Sequence, residues 1–387
     1  MTRNIRVFLL TEAILAASGG FILPIYVLYF RCFRITLFEV ALLAAIFEAS
    51  ILISEIPTGL FADRYGRKLS VSIGFALFAV SGMIFILFRH LTGFIIAEIV
   101  FGLAEAFISG AGEALAVDSI RERNKEPALK QMYILRSRVR IVMTSLFMLS
   151  AGYLFARNVS ITFYPVLIGG LVGFAVSLFF IYNRPIPEAK DRRHFIQPLK
   201  TMFRHLRLSN VLKIVFVISL VANFSFEGAD QYWQVLGLEL FNLNVNYFGL
   251  ITAAGAVLAF LLVGRIVRRF SGNLSLPLLF LLPAGVVISS LPNSPEFLLP
   301  GLLIIYFFSK EMITPLFSVT INSLIDSHGR ATFLSGYNLT CSIGEVISGI
   351  MVGLIASHLG LPVVFVVCGG VLVLFVIIAL FRGRQPI

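Results

Sequence analysis

Twelve apolar stretches take up most of this 387-residue chain: 7–30, 37–58, 69–88, 93–117, 139–156, 161–182, 211–235, 247–264, 274–291, 297–321, 331–357 and 361–381. A helix needs about 20 apolar residues to cross a bilayer, and every one of these runs approaches or exceeds that length. Inside lipid each backbone N–H and C=O must be satisfied within the structure, which leaves only helices and closed barrels. Barrel strands would show shorter segments of alternating polarity, about 10 residues each, and the chain has no such pattern. Charged residues make up 13% and the mean hydropathy is +0.94, whereas soluble domains carry about 25% charged residues. The sequence therefore predicts an all-α integral membrane protein with twelve transmembrane helices, numbered here as spans 1 to 12.

Arg3 and Arg6 precede the first apolar run, as in a secretory signal. A signal's apolar region covers only about 7–15 residues. Here it runs from Val7 to Phe30 and includes Glu12, so it is expected to stay as a span. The three cysteines, Cys32, Cys341 and Cys368, show no metal-ligand spacing and are expected to be free thiols. No nucleotide-binding loop, catalytic motif, cofactor motif or metal set is visible, and the short connections leave no room for a soluble domain. An enzyme is not expected.

Lys and Arg are distributed unevenly. The gaps between spans 1 and 2, 3 and 4, 5 and 6 and so on hold Arg31, Arg34, Arg89 and Arg157, four of the 31. The termini and the other gaps hold 26 when Arg140 and Lys213, at the edges of spans 5 and 7, are counted with them, and Lys310 lies within span 10. By the positive-inside rule both termini face the cytoplasm. The net charge of +11 is then a topological signal, and nucleic-acid binding is not expected. The longest polar stretch, Asn183 to Asn210, divides the chain into an N-terminal bundle (1–183), a basic linker (184–210) and a C-terminal bundle (211–387). Within the linker Phe203, Leu206 and Leu208 interleave with Lys200, Arg204 and Arg207, which suits either an amphipathic surface helix or a solvated linker. Gly264 and Arg265, with Arg268 and Arg269, close span 8 much as Gly59, Arg64 and Arg67 close span 2, a faint sign of two parallel repeats.

Between spans 2 and 3 lies GLFADRYGRK, Gly59 to Lys68. This turn resembles the loop between the second and third helices of major facilitator superfamily transporters, G-x-L-A-D-R-x-G-R-K, with Phe61 in place of Leu. FISGAGEALAVD (107–118) in span 4 is similar to a run in the drug-antiporter branch that includes macrolide-efflux-like permeases. The resemblance implies two six-helix, pseudo-symmetric halves around a cavity, working by alternating access. It also implies a conformational latch made by Gly59, Asp63, Arg64, Gly66, Arg67 and Lys68 with Asp118 at the base of span 4. The glycines would allow a tight backbone and close helix approach, and Asp63 would face a helix N-terminus. The chain departs from that branch at one point: Glu98 stands where many drug:proton antiporters carry an arginine, four residues before Gly102.

Leaving aside Glu39 at the edge of span 2, half of the 20 acidic residues fall within spans. Ionisable groups at membrane depth are costly and normally face a partner or a water-filled cavity. Glu48, Glu105, Glu311 and Glu345 lie near the middle of their spans, and Glu227 and Asp230 in the outer part of span 7. Glu55, Glu113 and Glu12 lie toward the cytoplasm. Some of these acids could simply pair with Arg136, Arg138, Arg140 or Lys310. Lys310 could neutralise a carboxylate or bind an anion. Trp233, in NFSFEGADQYWQ, is either a cation–π surface for a lipophilic cation or an interfacial belt residue.

The predicted function is a secondary active transporter of a prokaryotic inner or plasma membrane, exporting amphipathic, cationic compounds in exchange for protons. Glu48, Glu105, Glu227, Asp230, Lys310, Glu311, Glu345 and Trp233 are the candidate substrate- or proton-binding residues. The expected partners are a small-molecule substrate, protons and the bilayer, and the chain is expected to be a monomer. Two alternatives stand beside this: a carrier of a specific polar metabolite or metal cation, and a non-transporting receptor or assembly factor.

Overall fold

The computed structural model describes residues 3–121, 126–182, 207, 210–270, 275–324 and 330–382. The expected amphipathic helix around 200–208 lies outside the described residues, apart from Arg207. Thirteen α-helices follow one another: α1 (Arg3–Ile22), α2 (Tyr26–Cys32), α3 (Leu37–Tyr65), α4 (Arg67–Leu87), α5 (Leu91–Arg121), α6 (Glu126–Arg157), α7 (Tyr164–Phe180), α8 (Asn210–Val235), α9 (Phe248–Phe270), α10 (Ser275–Ser290), α11 (Leu299–Leu324), α12 (Arg330–Leu359) and α13 (Leu361–Arg382). Among the described residues, nine helical segments are long and apolar enough to cross a membrane. Span 1 corresponds to α1 with α2, and spans 2 to 12 to α3 to α13.

Three boundaries differ from the expected ones, each for a local reason. The first span is broken, because Pro24 has no N–H and its ring opposes the carbonyl one turn back. Leu23 N–H closes α1 on Gly19 O at 2.9 Å, and Tyr29 N–H resumes the helix on Ile25 O at 3.0 Å. The second span does not end before the charged motif: α3 runs through it to Tyr65. At 29 residues α3 is about 44 Å long, so its last turns extend past a hydrocarbon core of about 30 Å. The fifth span likewise starts well before residue 139, since α6 begins at Glu126.

The chain divides into two compact units. Unit 1 comprises Met1–Ile35 with Ile46–Arg192, and unit 2 comprises Thr36–Ala45 with Arg193–Ile387. In unit 1, α4 packs on α5 and α7, and α1 packs on α6 and α7. Buried Asn4 ties this arrangement together: its amide nitrogen donates to Ser119 Oγ on α5 at 3.4 Å, and its oxygen accepts from Tyr182 N–H at 3.1 Å. One end of the unit is an aromatic cluster of Tyr29, Phe30, Phe85, Phe94 and Phe163, with Phe85 and Phe163 stacked at 3.9 Å between centroids. These rings fill the core around α2, so they line no cavity.

In unit 2, α10 packs on α13 and α11, and α8 packs on α12 and α13. The two units use the same device at corresponding places. A Cβ on Gly170 (α7) would stand 2.3 Å from Ala79 N on α4, and one on Gly369 (α13) would stand 2.4 Å from Ser289 N on α10. Without lipid-excluding hydrophobicity to drive helices together, such small residues let backbones meet closely. The first turns of α3 belong to unit 2, where Leu37 O accepts from the Tyr232 hydroxyl at 2.8 Å.

Candidate functional site

The charged motif makes its turn at one residue. Gly66 has φ +101° and ψ 143°, a conformation that side chains disfavour, and α4 starts at the next residue. Arg67 then reaches α5, where Nη1 donates to Asp118 Oδ2 and to Ala114 O. Thr58, one residue past the helix-interior Pro57, bonds Ser54 O at 2.8 Å and lies 3.1 Å from Ala106 O on α5. This ties α3 and α5 together just above the turn. Gly59 does not match the expected close helix approach: it is exposed within α3, and a Cβ there would meet nothing within 4 Å. Asp63 is exposed and makes no hydrogen bond or ion pair among the described residues. Arg64 lies over the Tyr65 ring at 5.3 Å, and Lys68 is half-buried on the first turn of α4.

A second polar group joins α1, α5 and α6 within unit 1. Arg136 donates to Glu12 at 3.0 Å and to Glu113 at 2.9 Å. Arg140, one turn further along α6, reaches the other Glu12 oxygen at 3.2 Å, and the Tyr133 hydroxyl donates to Glu113 at 2.7 Å. Glu12 is only 6% exposed. Glu105 lies within the field of Arg140, Glu12 and Arg136. Of the three arginines offered by the sequence as partners for acids within spans, Arg136 and Arg140 meet Glu12, and their spacing of four places both on one face of α6.

In unit 2 the residues come together around Asp230 on α8. One of its oxygens accepts from Lys310 Nζ and the other from the Tyr306 hydroxyl at 2.8 Å, both on α11. Of the two roles left open for Lys310, the structure thus shows it paired with a carboxylate. Glu227, one turn earlier on α8, accepts from the Gln231 amide. The two acids share a helix face but serve different neighbours, because Glu227 and Gln231 lie toward Gly349 on α12. Glu345, one turn before Gly349, lies within the field of Lys310 and Asp230, and Lys310 also feels Glu311 and Glu227. Glu311 itself is exposed.

Trp233 is 2% exposed and packs on Phe248 at 4.9 Å and Phe307 at 5.2 Å. It belongs to the core of unit 2, and its burial overturns the interfacial-belt reading. Glu48 is half-buried on α3, and its charge faces Glu98 on α5. Tyr306 did not stand out in sequence, since a tyrosine in a span carries no charge cost that marks it.

Long helices in two packed units, a glycine-hinged charged turn and carboxylates paired at membrane depth define a polytopic membrane carrier. The chain matches the model of the Major Facilitator Superfamily over residues 8–348 and belongs to that family. It is 25% identical over 376 residues to the uncharacterized MFS-type transporter YxaM of Bacillus subtilis (strain 168), covering 93% of this chain and 91% of that one. It is 21% identical over 368 residues to Multidrug resistance protein 2 of the same organism, covering 91% and 89%. Its fold is that of the crystal structure of the nucleoside transporter NupG, with a TM-score of 0.82 over all of both chains at 11% identity. The protein is thus a multi-pass membrane transporter with the major facilitator fold.

Proposed function

We propose that this transporter exports amphipathic cations in exchange for protons, by alternating access in the plasma membrane, with both termini in the cytoplasm. The observation that carries this reading is the charge balance of the unit 2 group: Lys310 stands alone among Asp230, Glu227, Glu311 and Glu345. Such a group attracts a cation, and Tyr306 and Gln231 add polar contacts beside it. Likeness to Multidrug resistance protein 2 agrees with a lipophilic substrate. The same carboxylates bind either the cation or protons, so loading one displaces the other. Trp233 supports α8 from within the core and needs no contact with substrate.

The sign of the pH effect follows directly. Carboxylates hold a cation only when ionised, so affinity rises with pH. Titration of the purified protein with tetraphenylphosphonium in weak buffer is expected to release protons, and the E227Q/E345Q double variant to release fewer and bind more weakly. Binding that is pH-independent and unaltered in that variant would remove the basis of the proposal. The rival reading, a metal-cation carrier, draws no support from the described residues, where no three His, Cys, Asp or Glu side chains converge.

The contact of Arg67 with Asp118 we assign to the conformational latch, together with Gly66. Asp63, Arg64, Lys68 and Gly59 extend the motif around it. The division into bundles 1–183 and 211–387, joined by the linker 184–210, is part of the same proposal.

A further inference from the structure

Four helical acids of unit 1 and unit 2 are held by cations. Glu12 sits between Arg136 and Arg140, Glu113 on Arg136, Asp118 on Arg67 and Asp230 on Lys310. Glu98 differs from all of these. It is 1% exposed, and its carboxyl accepts from the Tyr26 hydroxyl at 2.6 Å. Among the described residues no Lys or Arg forms an ion pair with it.

Among the described residues, the groups that act on Glu98 are the Tyr26 hydroxyl and the Glu48 carboxylate. From α3 the charged group facing it is Glu48, of the same sign. From α2 the titratable group is Tyr26 itself. α4 offers no titratable side chain between Leu69 and Phe88. Arg136 and Arg140 of α6 are engaged with Glu12 and Glu113, and their field reaches Glu105, two turns along α5 from Glu98. A carboxylate buried without a cation is costly, and a neighbouring negative charge adds to the cost. A carboxylic acid at the same place is not.

We propose that Glu98 carries a further coupling proton, beside those exchanged at the unit 2 carboxylates, with the Tyr26 hydroxyl as its hydrogen-bonding partner. This rests on the proton-coupled reading of the preceding section. Uptake converts the carboxylate and one proton from water into the neutral acid, and release on the opposite side of the membrane reverses it. Tyr26 stands at the start of α2, two residues past the break at Pro24. Tyr26 is half-buried where Glu98 is fully buried, so it links the acid to the outer end of the unit. Deprotonation leaves Glu98 with one neutral donor against Glu48. Tyr26 sits on α2, the short helix that follows that break, so a change in this hydrogen bond acts on α2.

The test has two arms on the full-length protein in lipid. Infrared titration of wild type, E98Q and Y26F reads protonated carboxyl groups directly. Wild type is expected to show a protonated-carboxyl band near neutral pH that disappears on alkaline titration, that E98Q lacks and that Y26F shifts. An E98Q spectrum identical to wild type at every pH overturns the proposal. In proteoliposomes, E98Q is expected to lose accumulation of tetraphenylphosphonium driven by a pH gradient, and Y26F to shift its pH profile. Gradient-driven accumulation by E98Q equal to wild type also overturns it. A wild-type protein that moves no tetraphenylphosphonium under any gradient overturns the export reading itself, whereas the infrared arm speaks to Glu98 alone.

Discussion

Arg136 bridges two carboxylates from different helices, Glu12 on α1 and Glu113 on α5, both near 3 Å. Removing it leaves Glu12 buried with Arg140 alone. Breaking a buried ion pair costs about 3–5 kcal/mol, and Arg140 offsets part of that, so R136Q is expected to lower stability by about 2–3 kcal/mol. The E12Q/R136Q double variant is expected to recover much of the loss, because the charges then left without ion-pair partners, Glu113 and Arg140, are partly exposed. Thermal unfolding in detergent checks both, and a double variant no more stable than R136Q contradicts the pairing. These partners were hard to read from sequence. A positive residue near a span end serves topology in any membrane protein, and only the third dimension shows that this one reaches back to Glu12. Lys310 posed the same difficulty: its neighbour in sequence is Glu311, but its partner lies eighty residues away on α8.

At the scale of elements, the turn between α3 and α4 depends on one glycine, although the motif holds two. Gly66 has a positive φ that costs other residues about 1–3 kcal/mol. G66A is therefore expected to destabilise the protein by that amount and to loosen the contact of Arg67 with Asp118. Gly59 is exposed in the body of α3, where Ala is the better helix former by up to about 1 kcal/mol. G59A is expected to be neutral or mildly stabilising. Equal losses in thermal stability for the two variants would contradict this account of the turn. The motif's family resemblance was legible at once, but it could not show which glycine bends the chain. Apolar periodicity located the spans well and their ends poorly, since Pro24 breaks a run that stays apolar on both sides. Arg121 and Arg136 lie within α5 and α6, where hydropathy alone would have placed a loop.

At the scale of the whole molecule, the fold was the most legible property, because twelve long apolar runs leave few alternatives in a bilayer. The candidate site was legible in part. Acids at membrane depth stood out by their cost, whereas Tyr306 and Tyr26, which hydrogen-bond those acids, did not. If the carboxylates of unit 2 take up protons and cation in competition, flux must follow the proton gradient. The most direct measurement is transport of tetraphenylphosphonium into proteoliposomes with an imposed pH gradient, for wild type and the E227Q/E345Q variant. The account predicts cation movement against proton flow in wild type, abolished by a protonophore and by the double substitution. Cation flux that ignores the gradient, or continues undiminished in the double variant, would contradict it.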